Sequence, residues 1–416
     1  MTYEFEYLMH LFTCGARGMT PAPPRQAIDF DRLLQLAHEQ SVLHMVGVAL
    51  INSPDFGFPS DKMKSLFDNT RRMALANYMK RRLITNLLQD FAKAGIHAVL
   101  LKGYSIADLY AEPNCRISCD TDIYVDIKDE IRACKLLQEH GCEINPRSPI
   151  SHHTVCHHID MGNIELHIFL YDEIVEEIWF ENMDGNQFVQ ESDINYDSSE
   201  GTIFTLGRTD NLIFLVLHMI KHFIFSGINL RQIMDIALYI EKYRSCLDWK
   251  RFYQIINTLH YRKLISTILG IIEKYFGFSI IENNLIDRDN VLINALLEDI
   301  ETGAKMGSNG NAIRRTSWHW YNYAKYTNKR GRLSYWFYML RRNSMAIIHD
   351  LVLEESKSEK HHPLMIIYFI ACVKWCFLII SKLFRETLIN SIFRRKKIVI
   401  EHSISREELL KLMQIL

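Results

Sequence analysis

The run Cys119-Asp120-Thr121-Asp122-Ile123-Tyr124-Val125-Asp126 constrains this chain more than any other stretch. Its apolar, β-branched continuation reads as a strand, and alternate side chains of a strand share a face. Asp120 and Asp122 therefore point together. Paired carboxylates hold hard divalent cations such as Mg²⁺, which take oxygen ligands and nucleotide phosphates. The competing reading is an ordinary solvated strand end. Both carboxylates are expected to face solvent, so neutralising either is expected to leave the fold intact.

The neighbouring segments favour the metal reading. Gly95-Ile96-His97-Ala98-Val99-Leu100-Leu101 reads as a short buried strand entered after a helix-ending glycine. It runs into Lys102-Gly103, where glycine permits a tight turn and a close approach of backbone to ligand. Tyr104 to Tyr110 has helical apolar spacing and stops before Pro113, and Arg116 lies just ahead of the Asp pair. Downstream, Met161-Gly162-Asn163 reads as a turn between strands His153–Asp160 and Ile164–Leu170. The second strand carries Glu165 and His167 on one face and Ile164, Leu166 and Ile168 on the other. A third carboxylate on a neighbouring strand is what a two-metal site requires.

Together, Lys102-Gly103, Leu109-Tyr110, Arg116, Asp120-x-Asp122 and Glu165-Leu166-His167 resemble the uncharacterised bacterial nucleotidyltransferase family of the polymerase-β-like superfamily. Leu33-Leu34-Gln35-Leu36-Ala37-His38 looks like the family's amino-terminal helix. Leu217-His218-Met219-Ile220-Lys221-His222 and Arg231-Gln232-Ile233-Met234-Asp235-Ile236-Ala237 look like its two later helices, so the resemblance spans about residues 28–245. It implies transfer of a nucleoside monophosphate from an NTP to an acceptor. Asp120, Asp122 and Glu165 would be the catalytic and metal-holding set, for Mg²⁺ or alternatively Mn²⁺. Lys102, Gly103, Ser105 and Arg116 would hold the nucleotide. The superfamily's usual Gly-Ser loop here reads Lys102-Gly103-Tyr104-Ser105, which leaves open which group contacts the triphosphate.

The expected fold class is α+β, a small mixed β-sheet core between N-terminal helices and a large C-terminal helical region. Four parts are expected: helices over 1–94, the nucleotidyltransferase core over 95–200, a helical domain over 201–300, and a basic-aromatic and apolar region over 301–416. Asp29 or Asp31 caps a helix carrying Leu33, Leu36, Ala37 and Val42. Longer helices follow over roughly 71–93 and 129–140. The polar stretch Asp184–Gly201 reads as a loop. At 416 residues and a formal net charge of −1, the chain has material for more than one core and no charge excess of a nucleic-acid coat. Its nine cysteines include no Cys-x-x-Cys pair, and the acidic, aromatic start is unlike a signal peptide. Reduced thiols and a cytoplasmic location are expected, with peripheral contact at the inner membrane face as an option.

Strand alternation puts His152 and His158 on one face and His153 and His157 on the other, which argues against one zinc ion held by all four. His218 and His222 share a helix face with Lys221 close by, so Lys221, His222 and Arg231 are expected to line the acceptor side. The alternative for Arg231 is an internal pair with Asp235. From Thr302 to His349, nine Lys or Arg interleave with nine aromatics and no acidic residue. That suits a phosphate-rich acceptor, single-stranded nucleic acid or membrane interface, or else a helical cap with its charges in water. Leu364–Ile380 is apolar except for Lys374, whose central charge costs about 2.5–3.5 kcal/mol in a membrane span, so a buried or interfacial helix is expected. The acceptor stays open among small molecule, glycan, protein and RNA end. Two other functions also remain: a catalytically inactive nucleotide-binding module, and a membrane-surface assembly protein acting through its C-terminal third.

Overall fold

The computed structural model describes residues 1–303, except 52, 146, 148–151, 171–193, 199–200, 226 and 280–287, together with 409 and 413. Four helices come first: α1 (Tyr3–Arg17), α2 (Phe30–Glu39), α3 (Leu43–Ile51) and α4 (Ser60–Lys93). Asp29 caps α2 by accepting from the Arg32 N–H, as its position in the sequence suggests. Helix α4 starts earlier than the periodicity predicts, because no glycine or proline interrupts Ser60–Lys93. Gly95, with φ of +68°, ends that run and turns the chain into the sheet.

The central sheet has the order β1-β2-β5-β4-β3, built from β1 (Ala98–Leu101), β2 (Asp120–Val125), β3 (Glu143–Asn145), β4 (His153–His158) and β5 (Gly162–His167). Strands β2 and β5 run parallel while the other neighbours are antiparallel, so the sheet is mixed. Between β1 and β2 lies one turn of helix, α5 (Tyr104–Ala107), shorter than the expected Tyr104–Tyr110. Helix α6 (Glu130–Glu139) joins β2 to β3. The polar stretch expected as a loop supplies β6 (Ile194–Ser198), which pairs with β7 (Gly201–Thr205) in a separate hairpin. Backbone pairing there overrides polar composition. Among the described residues five α-helices follow: α7 (Arg208–Phe225), α8 (Leu230–Tyr243), α9 (Trp249–Thr258), α10 (Arg262–Phe276) and α11 (Asn290–Gly303).

The sheet has two unlike faces. Leu100, Ile123, Ile164 and Leu166 pack with Ile84, Leu87 and Phe91 of α4 and with Ala133 and Leu137 of α6. Val99 and Leu101 belong instead to the large core that contains the apolar residues of α7 and α8. Asp122 and Glu165 alternate with Ile123 and Leu166, so the carboxylates share the side of Leu101, toward the later helices. Period-two alternation thus builds one dry face and one polar face on the same strands. The basic-aromatic stretch beyond Gly303 and the apolar segment 364–380 lie outside the described residues. Among the described residues, no helix is long and apolar enough to cross a membrane.

Candidate active site

Register brings the acidic groups together. Asp122 stands opposite Glu165 across the parallel β2–β5 pair, and His167 stands opposite His153 across the antiparallel β4–β5 pair. Asp120 and Asp122 share a face two residues apart, as do Glu165 and His167. One ligand atom each from Asp122, Glu165 and His167 lies within 4.8 Å of the others. His167 Nε2 is 3.0 Å from Asp122 Oδ1 and 3.5 Å from Glu165 Oε2. Burial works against the His167 cation, but its bonds to both carboxylates raise its pKa above the usual histidine value. Burial also opposes the Glu165 charge, yet the His167 bond and the His153 charge hold that carboxyl down at about 2.

The expectation that both aspartates face solvent holds for Asp120 only. The Asp120 side chain is 34% exposed, whereas Asp122 is 1% exposed. The Asp122 Oδ1 accepts from His167 and lies 3.1 Å from Lys102 Nζ, while its Oδ2 is buried without a hydrogen-bond partner. Lys102 also approaches Asp120 Oδ2 at 3.8 Å and His218 Nε2 at 2.8 Å. Lys102 sits at φ +34° and Gly103 at φ +56°. A non-glycine residue in that region is held there by its surroundings, and such strain clusters at functional turns. The Ser105 hydroxyl donates to the Lys102 carbonyl at 3.0 Å, so Ser105 fastens the turn from within.

Arg116 is buried and paired within the protein. Its guanidinium donates to both oxygens of Asp235, at 3.2 and 2.6 Å, and the Tyr110 hydroxyl donates to the same carboxylate at 2.7 Å. Asp235 raises the Arg116 pKa against the effect of burial. Arg231 donates to the Ile117 carbonyl, and no Arg231–Asp235 hydrogen bond forms, because Asp235 is taken by Arg116 and Tyr110. Both arginines tie α8 to the segment leading into β2. From α7, His218 and His222 approach each other at 3.2 Å between Nε2 atoms. Burial, then the Lys102 charge, lowers both, with His222 at about 4. Lys221 adds positive charge beside His222 and His152.

Two features escaped sequence reasoning. Lys80 of α4 carries its ammonium 5.7 Å from the Tyr104 ring centroid, and burial lowers its pKa while Asp120 and Cys119 oppose that shift. Nothing in the helical pattern distinguishes Lys80 from its exposed neighbours. His152 and His153, expected on opposite faces, come together because His152 precedes the strand that starts at His153, where alternation begins. His152 lies just outside the pleat, where its carbonyl accepts from the Ile168 N–H.

A family described as uncharacterised nucleotidyltransferase matches residues 26–277, well over half of the chain. The chain belongs to that family. A solved structure titled as an antigenic nucleotidyltransferase-like protein from Paracoccidioides brasiliensis aligns at 13% identity and a TM-score of 0.30. That alignment covers 50% of this chain and 95% of the other. No curated protein matches the chain.

Proposed function

We propose that this nucleotidyltransferase moves a nucleoside monophosphate from an NTP to an acceptor, with Mg²⁺ or Mn²⁺ held by Asp120, Asp122 and Glu165. The observation carrying this reading is Asp122, buried among acidic neighbours with its Oδ2 unpartnered. Burying a carboxylate oxygen without a partner is costly, and a hard divalent ion suits it. Glu165 and His167 bring ligand atoms within 4.8 Å of that of Asp122, so these residues fit such an ion, and Asp120 offers a further carboxylate on the same face of β2. When bound, the ion neutralises the charge on the transferring phosphoryl group and favours the attacking oxygen.

The chain's own groups do the rest. Lys102 offers an ammonium beside both aspartates, where triphosphate oxygens would come, and the Gly103 turn lets the backbone approach them. Ser105 holds that turn in shape. Glu165, already ionised far below neutral pH, is a weak base, so its ligand role outweighs proton abstraction. Lys221 and the neutral His222 form the opposite, acceptor-side wall. Arg116 and Arg231 position the Asp-bearing strand against α8.

A second reading, an inactive nucleotide-binding module, draws on Lys102 and His167, which already satisfy Asp122 Oδ1. The peripheral membrane role rests on residues beyond 303. Purified protein incubated with Mg²⁺ or Mn²⁺, labelled NTPs and cell extract is expected to label an acceptor, whether small molecule, glycan, protein or RNA. Asp120→Asn should abolish the labelling. NTP binding without any transfer would support the inactive module and remove the enzymatic reading.

A further inference from the structure

A second constellation adjoins the carboxylates. The ring centroids of His152 and His153 are 4.4 Å apart, and they lie 5.1 and 5.2 Å from that of His167. One ring nitrogen from each residue lies within 4.8 Å of the other two. We infer that His152, His153 and His167 bind one transition-metal ion of the Zn²⁺ class, at a site distinct from the one Asp120 and Asp122 offer to Mg²⁺.

Three observations carry this. The first is spacing: His153 Nδ1 and His152 Nε2 are 3.2 Å apart. Ligand atoms around a tetrahedral Zn²⁺ with bonds of about 2.0–2.1 Å stand about 3.3 Å from one another. The second is the state of His167. Its Nε2 faces Asp122 Oδ1 at 3.0 Å, and in the neutral ring, reached when a metal ion displaces the second proton, donation there leaves the Nδ1 lone pair to the metal. That Nδ1 is buried and has no hydrogen-bond partner among the described residues. A carboxylate behind one ring nitrogen, orienting the other toward a metal, is the usual support of a metal-binding histidine. The third is anchorage. His153 and His167 are fixed opposite each other by the β4–β5 register, and the His152 carbonyl accepts the N–H of Ile168.

Ligand chemistry then separates the two sites. Imidazole nitrogens suit Zn²⁺, Co²⁺ and Ni²⁺, whereas Mg²⁺ prefers oxygen. Lys102 and Lys221 oppose a cation near His152, and the negative charges of Asp122 and Glu165 beside His153 offset them. Half-buried His153 leaves a side from which an ion can enter. Three protein ligands leave a fourth position for water, as in zinc sites that are not purely structural. The inference stands independently of nucleotidyl transfer and shares only His167 and its carboxylate supports with that site.

The test is titration of metal-free full-length protein with Co²⁺, read by its visible ligand-field absorption. The expected result is saturation at one equivalent, displacement by Zn²⁺ and no displacement by excess Mg²⁺. His153→Gln and His152→Gln should each abolish the absorption, and Glu165→Gln should weaken Co²⁺ binding about tenfold by loosening His167. Asp120→Asn should keep it. Thermal melts establish that each variant is folded, and half-buried His153 serves if the His152 variant does not fold. Absence of Co²⁺ binding by the wild type, or unchanged absorption in His153→Gln, overturns the site. Binding lost in Asp120→Asn but kept in His153→Gln places the metal on the carboxylates alone, overturning this inference while sparing the proposed reaction.

Discussion

Asp120 and Asp122, two residues apart, do unequal work. Asp120 is one-third exposed and meets Lys102 only at 3.8 Å, so its charge contributes little to folding. Asp120→Asn should therefore cost under about 1 kcal/mol in urea unfolding while abolishing label transfer. Asp122 carries the Lys102 and His167 contacts from a buried position, so Asp122→Asn should lose both transfer and stability. Equal stability of the two variants would show that the Asp122 contacts are energetically idle. Arg116 and Asp235 form the clearest structural pair, at 5% and 6% side-chain exposure. Removing only one partner of a buried ion pair strands the other, so Asp235→Ala should cost about 3–5 kcal/mol. The double variant Arg116→Met, Asp235→Leu should be closer to wild type than the single one, because the Arg116 charge is not left stranded.

At the scale of elements, what was legible followed short-range rules. Asp120-x-Asp122 and Glu165-x-His167 declare their faces by period-two alternation, and Asp29 declares a helix start by its capping chemistry. The parallel pairing that sets Asp122 against Glu165 was not legible, because strand order depends on packing between segments distant in sequence. His152 shows the same limit within one segment: alternation holds inside a strand, and His152 lies just ahead of the one that starts at His153. The polar Ile194–Ser198 stretch hid a strand because its pairing with Gly201–Thr205 is made by backbone groups, which side-chain composition does not display. The Arg116–Asp235 pair was not legible, because no sequence rule reveals that Asp235 will fold against Arg116. Strand β5 serves both faces at once, and its dry face can be tested separately. Leu166 is fully buried in the cluster that includes α4 and α6, so Leu166→Ala should cost about 2–5 kcal/mol. Well below its melting temperature, that variant should retain label transfer, since Glu165 and His167 project from the other face. A folded but inactive Leu166→Ala would mean that the sheet's two faces are mechanically coupled.

For the molecule as a whole, the packing of α7 against the polar face of the sheet carries a pH signature. His152, His153, His218 and His222 all have pKa values lowered chiefly by burial, with His222 at about 4. A group whose folded pKa is lowered binds fewer protons in the folded than in the unfolded state between that value and about 6.5. Its stabilising contribution is present above 6.5 and is lost as the pH falls through the folded value. His167 works in the opposite sense: its raised pKa makes its contribution complete below 6.5 and lost as pH rises through the folded value. Glu165 adds to the loss on acidification only at the acidic end, since its contribution begins to fade as pH falls through about 4.5 toward about 2. Burial lowers His10 and His44 as well, so six imidazoles against one give a net slope, and unfolding free energy should fall on acidification from pH 6.5 to about 4. Each imidazole contributes at most about 1.4 kcal/mol per pH unit to that slope. His222→Gln removes one titrating ring while keeping a polar side chain at the α7 surface, so urea unfolding across this range should show a shallower dependence. An unchanged slope would mean that His222 is protonated in the folded protein, and that α7 meets the carboxylate face through a charged rather than a neutral ring.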